Sequence, residues 1–304
     1  MLFPPPLQPG DTVAIIAPAS PFAYADLRPA FDVMRHDWQL TIWEGKTLQL
    51  STGAFAGSDA ERAYDLQEAI NNPDIKAIFA ARGGYGAYRL VEQVDFRPLL
   101  KRPKWLVGYS DITVLLSHCQ RMGLGSLHGI MPRGFRLPHT ERDIETVRQW
   151  LFGEKVAPYT VAANKLNRPG VATGALAGGN LSLLMHTLDT ASEVDWAGHL
   201  LFIEDVNETM FSLDRIIIQL KRSGKLANLA GLLVGNFSDM RDNVSLPYGK
   251  TPEELITEAV AAYSYPVAVG FPVGHVSPNL AMPIGATAQL TVSKTGVQLQ
   301  FSDR

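Results

Sequence analysis

Four short apolar runs, each released into a turn and most followed by a helix-patterned segment, constrain the fold of this chain more than any other feature. Thr12-Val13-Ala14-Ile15-Ile16-Ala17 is the first, and Pro18-Ala19-Ser20-Pro21 breaks it. Asp26 to His36 then spaces Leu27, Ala30, Phe31 and Met34 as one helical face. A second run, Leu40 to Trp43, follows at once. Ser58-Asp59-Ala60-Glu61 reads as a capping box opening a helix through Tyr64, Leu66 and Ile70 that stops near Asn71-Asn72-Pro73. Ala77 to Ala81 and Trp105 to Val107 are the third and fourth runs. Unbroken apolar runs of this kind belong to strands covered on both faces. Their βαβ rhythm predicts an α/β domain whose working loops leave the carboxyl ends of the strands.

Two of those loops carry residues of chemical interest. Arg82-Gly83-Gly84-Tyr85-Gly86-Ala87-Tyr88 is the most glycine-dense loop of the chain, and glycine lets a backbone approach a ligand closely. Its spacing matches neither the dinucleotide pattern G-x-G-x-x-G nor a P-loop. It reads either as a turn offering backbone donors or as a structural turn. In Gly108-Tyr109-Ser110-Asp111 the serine lies between a strand and the helix starting at Thr113, where a turn lifts a hydroxyl out of the sheet beside free helix-start N–H groups. The second glycine of the hydrolase elbow G-x-S-x-G is missing. Ser110 or Asp111 could equally cap the helix.

Glu141 to Phe152 reads as the helix closing this domain, and 156–170, with Pro158, Asn164, Asn167 and Pro169, as a linker. That divides the chain into domains 1–155 and 171–304. In the second, Gly174 to Leu181 turns through glycines into a helix, with Asn180 as its cap. His199 to Ile203 is a strand delivering Glu204-Asp205-Val206-Asn207-Glu208, and Ala288 to Val292 with Val297 to Phe301 forms a terminal β pair. His275 follows a glycine turn with no helix to bury it. His128 and His186 remain rivals, because residues alone do not choose between them.

Composition excludes several classes. With 46% hydrophobic and 19% charged residues and a net charge of -3, the chain has the make-up of an ordinary globular protein and no electrostatic footprint for nucleic acid or an anionic membrane. Met1 to Asp11 lacks the pattern of a secretory signal, and no run approaches the roughly 18 apolar residues of a span, so a cytoplasmic protein is expected. Cys119, the single cysteine, lies in the apolar run Val114 to Cys119 and reads as a buried, inert thiol. The seven histidines form no H-E-x-x-H, and no metal is expected.

Taken together, Arg82-Gly83-Gly84-Tyr85-Gly86, Gly108-Tyr109-Ser110-Asp111, Leu201-Phe202-Ile203-Glu204-Asp205 and Gly274-His275, with Gly178-Gly179-Asn180-Leu181 as a fifth stretch, resemble the LD-carboxypeptidase family of serine peptidases. This family comprises cytoplasmic muropeptide enzymes and their microcin-immunity relatives. The resemblance runs from Ala14–Pro18 to Pro283–Ala286. It implies a Ser-Glu-His triad at Ser110, Glu204 and His275, with Glu204 rather than Glu208 as the acid. It also implies an N-terminal Rossmann-like domain with a parallel sheet, a C-terminal mixed α/β domain rich in strands, a site between the two, a homodimer, and no cofactor or metal. The expected reaction releases terminal D-alanine from a muropeptide tetrapeptide across an L,D amide bond. The backbone of Asp111, with that of Gly83 or Gly84, would hold the oxyanion. Arg82 and Tyr85 would bind substrate, Arg82 by meeting the leaving carboxylate, unless it instead makes a structural bond to a loop carbonyl. Two alternatives stand beside this. One is a peptidyl- or aminoacyl-nucleotide amidase, with Trp196 either stacking on the base or lying in the core. The other is a non-catalytic module that holds a small acid on the glycine loop.

Overall fold

The computed structural model describes residues 1–302, arranged around two sheets. Four strands of the first sheet come from the early apolar runs, β1 (Thr12–Ile16), β2 (Thr41–Glu44), β3 (Ile75–Ala80) and β4 (Trp105–Gly108), and β5 (Ser126–His128) extends them. Neighbouring pairs among them are parallel, as double-sided burial requires. Core residues such as Ala14, Ile78 and Leu106 cover one side of this sheet, and Val13, Phe79 and Trp105 the other.

The remaining strands are β6 (Tyr159–Ala162), β7 (Gly170–Asn180), β8 (Leu200–Val206), β9 (Gly231–Ser238), β10 (Val267–Val269), β11 (Met282–Ile284), β12 (Thr287–Val292) and β13 (Gly296–Phe301). The second sheet has the order β10-β9-β8-β7-β12-β13-β6. Its first four strands are parallel and the last three antiparallel, which makes it mixed. Both sheets together define an α/β fold with a parallel N-terminal sheet.

Three features differ from the sequence reading. The segment 156–170 is not merely a linker, because Tyr159–Ala162 pairs with β13 as an edge strand of the second sheet. β11 leaves the C-terminal part of the chain and adds antiparallel to β5, at the edge of the first sheet. A three-residue strand has too few positions to show a period. Finally, β8 runs on through Val206, so Glu204 and Asp205 lie within the strand and not in a loop beyond it.

The helix Asp59–Asn71 opens with the expected capping box, in which the Ser58 hydroxyl and the Glu61 carboxylate satisfy each other's backbone N–H. Helix Thr113–Arg121 follows β4 after a tight turn over Ser110–Ile112. Asn180 caps the helix Leu181–His186, its Oδ1 accepting from the Leu183 N–H at 3.2 Å. Among the described residues no helix is long and apolar enough to cross a membrane.

Candidate active site

Ser110 leaves β4 with φ at +64°, a left-handed backbone that a serine adopts only when its surroundings impose it. A sharp strand-to-helix elbow does so here, even without its second glycine. The elbow projects the hydroxyl toward His275, whose Nε2 is 2.9 Å from Ser110 Oγ. On the far side of the ring, Nδ1 is 2.7 Å from Glu204 Oε2. A carboxylate has no proton to give, so Nδ1 carries the hydrogen and Nε2 presents its lone pair to the serine. The three side chains thus form one relay across both sheets.

Electrostatics strengthen the ring as a base. Burial works against a charged imidazole at His275, but the hydrogen bond and charge of Glu204, with more distant Asp205 and Asp239, outweigh it and raise the pKa. Glu204 itself is fully buried. Beside it, Asp205 accepts from Asn180 Nδ2 at 2.9 Å, from Ser182 N at 3.0 Å and from Ser182 Oγ at 2.7 Å. Those bonds tie β8 to the start of the next helix and fix the strand that carries the acid. Glu208 points elsewhere, within 3.4 Å of Ser182 Oγ.

Two glycines keep the space around the triad open. A Cβ on Gly83 would come within 3.1 Å of Ser110 Cβ, 3.3 Å of its Oγ and 3.4 Å of the Asp111 nitrogen, so the missing side chain keeps open the volume beside the hydroxyl. Gly274, at φ +134°, would press a Cβ to 3.2 Å from Glu204 Cβ. Its own N–H donates to Asn279 Oδ1 at 3.0 Å, anchoring the loop that carries His275.

The Asp111 carboxylate accepts from the Ala87 N–H at 2.7 Å, which ties the serine elbow to the glycine loop. Burial pushes its pKa up to about 6, against the Ala87 N–H and the Arg62 charge. Arg62 is the main residue that sequence reasoning missed. Fully buried, it donates to Pro18 O at 2.6 Å and Gly86 O at 2.9 Å and pairs with Asp59. The available signal was an arginine on the inward face of a helix whose other inward residues include Leu66 and Ala69. Ser20 was missed too: its Oγ accepts from the Tyr85 N–H at 3.0 Å, and its N–H donates to Gly83 O at 3.3 Å. Tyr109 lies against His275, ring centroids 5.0 Å apart, an aromatic wall that sequence spacing does not reveal.

Other candidates take different places. Arg82 donates Nη1 to Pro21 O at 2.6 Å, the structural bond weighed above. Tyr85 is exposed, and its ring lies 5.7 Å from that of Phe55. His128 is fully buried against Tyr109 and Phe202, and burial pushes it down to about 4, so it stays neutral. The exposed His186 bonds to its own helix carbonyl at Ser182. Cys119 is buried, which raises its thiol to about 12 and leaves it inert. Trp196 is core, donating to Glu193 at 2.9 Å. It precedes β8, and roughly 13 Å of strand separates Leu200 from Glu204. Of the two placements weighed for Trp196, the core is the one observed.

A serine, a histidine and a buried carboxylate in this geometry are the equipment of a serine-type hydrolase. The matching family descriptions are the LD-carboxypeptidase N-terminal domain, over residues 13–129, and the LD-carboxypeptidase C-terminal domain, over residues 173–290. A probable murein peptide carboxypeptidase of Bacillus subtilis is 38% identical over 97% of this chain and 93% of its own. The crystal structure of muramoyltetrapeptide carboxypeptidase from Oxalobacter formigenes superposes with a TM-score of 0.86 at 29% identity, covering 96% of this chain and 99% of that one. The microcin C7 self-immunity protein MccF in complex with aspartyl sulfamoyl adenosine reaches 0.86 at 21% identity over 99% and 98%, a likeness of fold alone. This chain belongs to the LD-carboxypeptidase family and is a carboxypeptidase of the serine type. The reading as a binding module without catalysis is thereby set aside.

Proposed function

We propose that this protein removes the terminal D-alanine of a muropeptide tetrapeptide by hydrolysing the L,D amide bond, with Ser110 as nucleophile. One observation carries the reading: Ser110 Oγ, both nitrogens of His275 and Glu204 Oε2 lie in a continuous hydrogen-bonded line. The names of the Bacillus and Oxalobacter relatives supply the substrate class.

In the first half-reaction Ser110 Oγ attacks the carbonyl carbon while His275 Nε2 takes the hydroxyl proton. Glu204 holds the ring in the required tautomer and stabilises the imidazolium. The carbonyl oxygen becomes an anion, which the Asp111 N–H and that of Gly83 or Gly84 would receive. His275 then returns its proton to the nitrogen of D-alanine, the amide bond breaks, and an ester to Ser110 remains. Water, deprotonated by the same histidine, opens that ester and releases the tripeptide acid and Ser110 Oγ–H.

Incubating the purified protein with disaccharide tetrapeptide and following products by mass spectrometry tests this directly. Free D-alanine and the tripeptide are expected in equal amounts. An intact tetrapeptide, with cleavage only of an aminoacyl-nucleotide amide, would replace this substrate by the other.

A further inference from the structure

Building on that reading, we infer that Arg133, with Arg82 and Arg136 beside it, forms the subsite for the substrate's terminal carboxylate, and that Arg133 is the residue that engages it. A residue released from the carboxyl end carries its carboxylate only two bonded atoms beyond the scissile carbon, so its oxygens lie within about 5 Å of the reacting centre. Whatever recognises them must flank Ser110.

The glycine loop flanks Ser110, and the arginines flank the glycine loop. Arg82 is next to Gly83, whose missing Cβ borders the Ser110 hydroxyl. The Arg133 N–H donates to Ala81 O at 3.0 Å, fixing its backbone against the residue preceding Arg82. Arg133 Nε lies 3.1 Å and Arg136 Nε 3.6 Å from one oxygen of Asp26. Two guanidinium groups therefore share this one carboxylate, and Arg82, which feels Asp26 only through space, adds a third positive charge. Arg133 is close enough to act electrostatically on both Arg82 and the Tyr109 phenol, next to the serine.

Within the cluster, Arg133 is the one placed to bind. Arg82 has spent Nη1 on Pro21 O, and both burial and the neighbouring Arg133 disfavour its charge. Among the described residues, Arg133 has only Nε engaged by a side chain and is one-third exposed, which leaves its two amino groups for a bidentate anion. Glu204, Asp205 and Asp239 act on His275, and their charge repels an anion. A carboxylate bound at the triad is repelled by those acids and attracted by the arginines.

The experiment compares a muropeptide tetrapeptide ending in a free carboxylate with the same peptide ending in a carboxamide. Arg133→Gln should lower kcat/KM for the acid by about 10- to 100-fold, the scale of one hydrogen bond between charged groups. The loss should appear mainly in KM and be at least about tenfold larger for the acid than for the amide. Arg133→Lys should recover part of it, since charge returns without the planar fork. Equal losses on both peptides, or an unchanged acid, would overturn the assignment. Turnover by the unmodified protein reports separately on the proposed function. If it cleaves neither peptide, calorimetric binding of both to Ser110→Ala, with and without Arg133→Gln, decides the arginine's role by the same acid-to-amide ratio.

Discussion

The two sheets make opposite contributions to one site. The first works through loops at its strand ends: Ser110 sits on a left-handed elbow after β4, and Gly83 to Gly86 form an open cradle after β3. Everything this sheet supplies depends on unusual backbone. The second works through a strand interior, where Glu204 is fully buried in β8 and Asp205 is held by Asn180 and Ser182. Its contribution depends on burial and ordinary pairing. In the proposed mechanism Ser110 gains its base from His275, on the loop that leads from β10 to β11, oriented by the buried Glu204 of β8. On that proposal, activation of Ser110 belongs to the contact between the sheets, and neither sheet has it alone.

Changes on either side should break this division to different degrees. Glu204→Gln should cost about 10,000-fold in kcat, because the wrong tautomer is then favoured. It should also move the pH profile. His275 titrates above the ordinary histidine value, so kcat/KM should rise with pH through that raised value as the ring becomes neutral. Without the Glu204 charge the acid limb should shift to lower pH. An unshifted limb in a steady-state pH series would mean that another group sets the pKa.

Gly83→Ala tests the first sheet's side. Its Cβ would enter the space beside Ser110 Oγ and the Asp111 nitrogen, and a loss of about 100-fold in kcat is expected, the size of losing one oxyanion donor. Far-UV circular dichroism should be unchanged. Full activity in Gly83→Ala would show that the reacting carbonyl does not pass through this space.

The smallest effect concerns stability. Asp111 is raised to about 6 in the fold from an ordinary value near 4, so the unfolded chain gives up this proton at lower pH. Stability contributed here is present below about pH 4 and lost as pH rises toward 6. His275 has the same sign: its ion pair stabilises the fold below the ordinary histidine pKa and is lost as pH rises through the raised one. Asp111→Asn keeps an acceptor for the Ala87 N–H, and its Tm should fall by a few degrees less than that of the unmodified protein between pH 4 and 6. Parallel Tm curves would place the titration elsewhere.

Legibility in the sequence followed the same division. The first four strands of the first sheet were readable because continuous burial leaves unbroken apolar runs, whereas Ser110, at the end of one such run, read equally well as a helix cap. The residues Glu204 and His275 were ambiguous from local pattern, with Glu208, His128 and His186 as rivals, and the family resemblance singled them out. Contacts far apart in the chain left no local trace. Arg62 reaches Pro18 and Gly86 from inside a helix, β11 crosses to the first sheet with three residues, and Arg133 and Arg136 converge on Asp26 from more than a hundred residues away. A period marks which face of an element is buried; it does not name the partner.

The dependence of turnover on the contact between the sheets is tested most directly by Ser110→Ala. D-alanine release from disaccharide tetrapeptide should be followed by mass spectrometry beside the unmodified protein at equal concentration. With the relay from Glu204 through His275 left without a nucleophile, the rate should fall by about a millionfold while Tm stays close to that of the unmodified protein. A folded Ser110→Ala protein that releases D-alanine within about tenfold of the original rate would contradict the role of this serine, and with it the joint action of the two sheets.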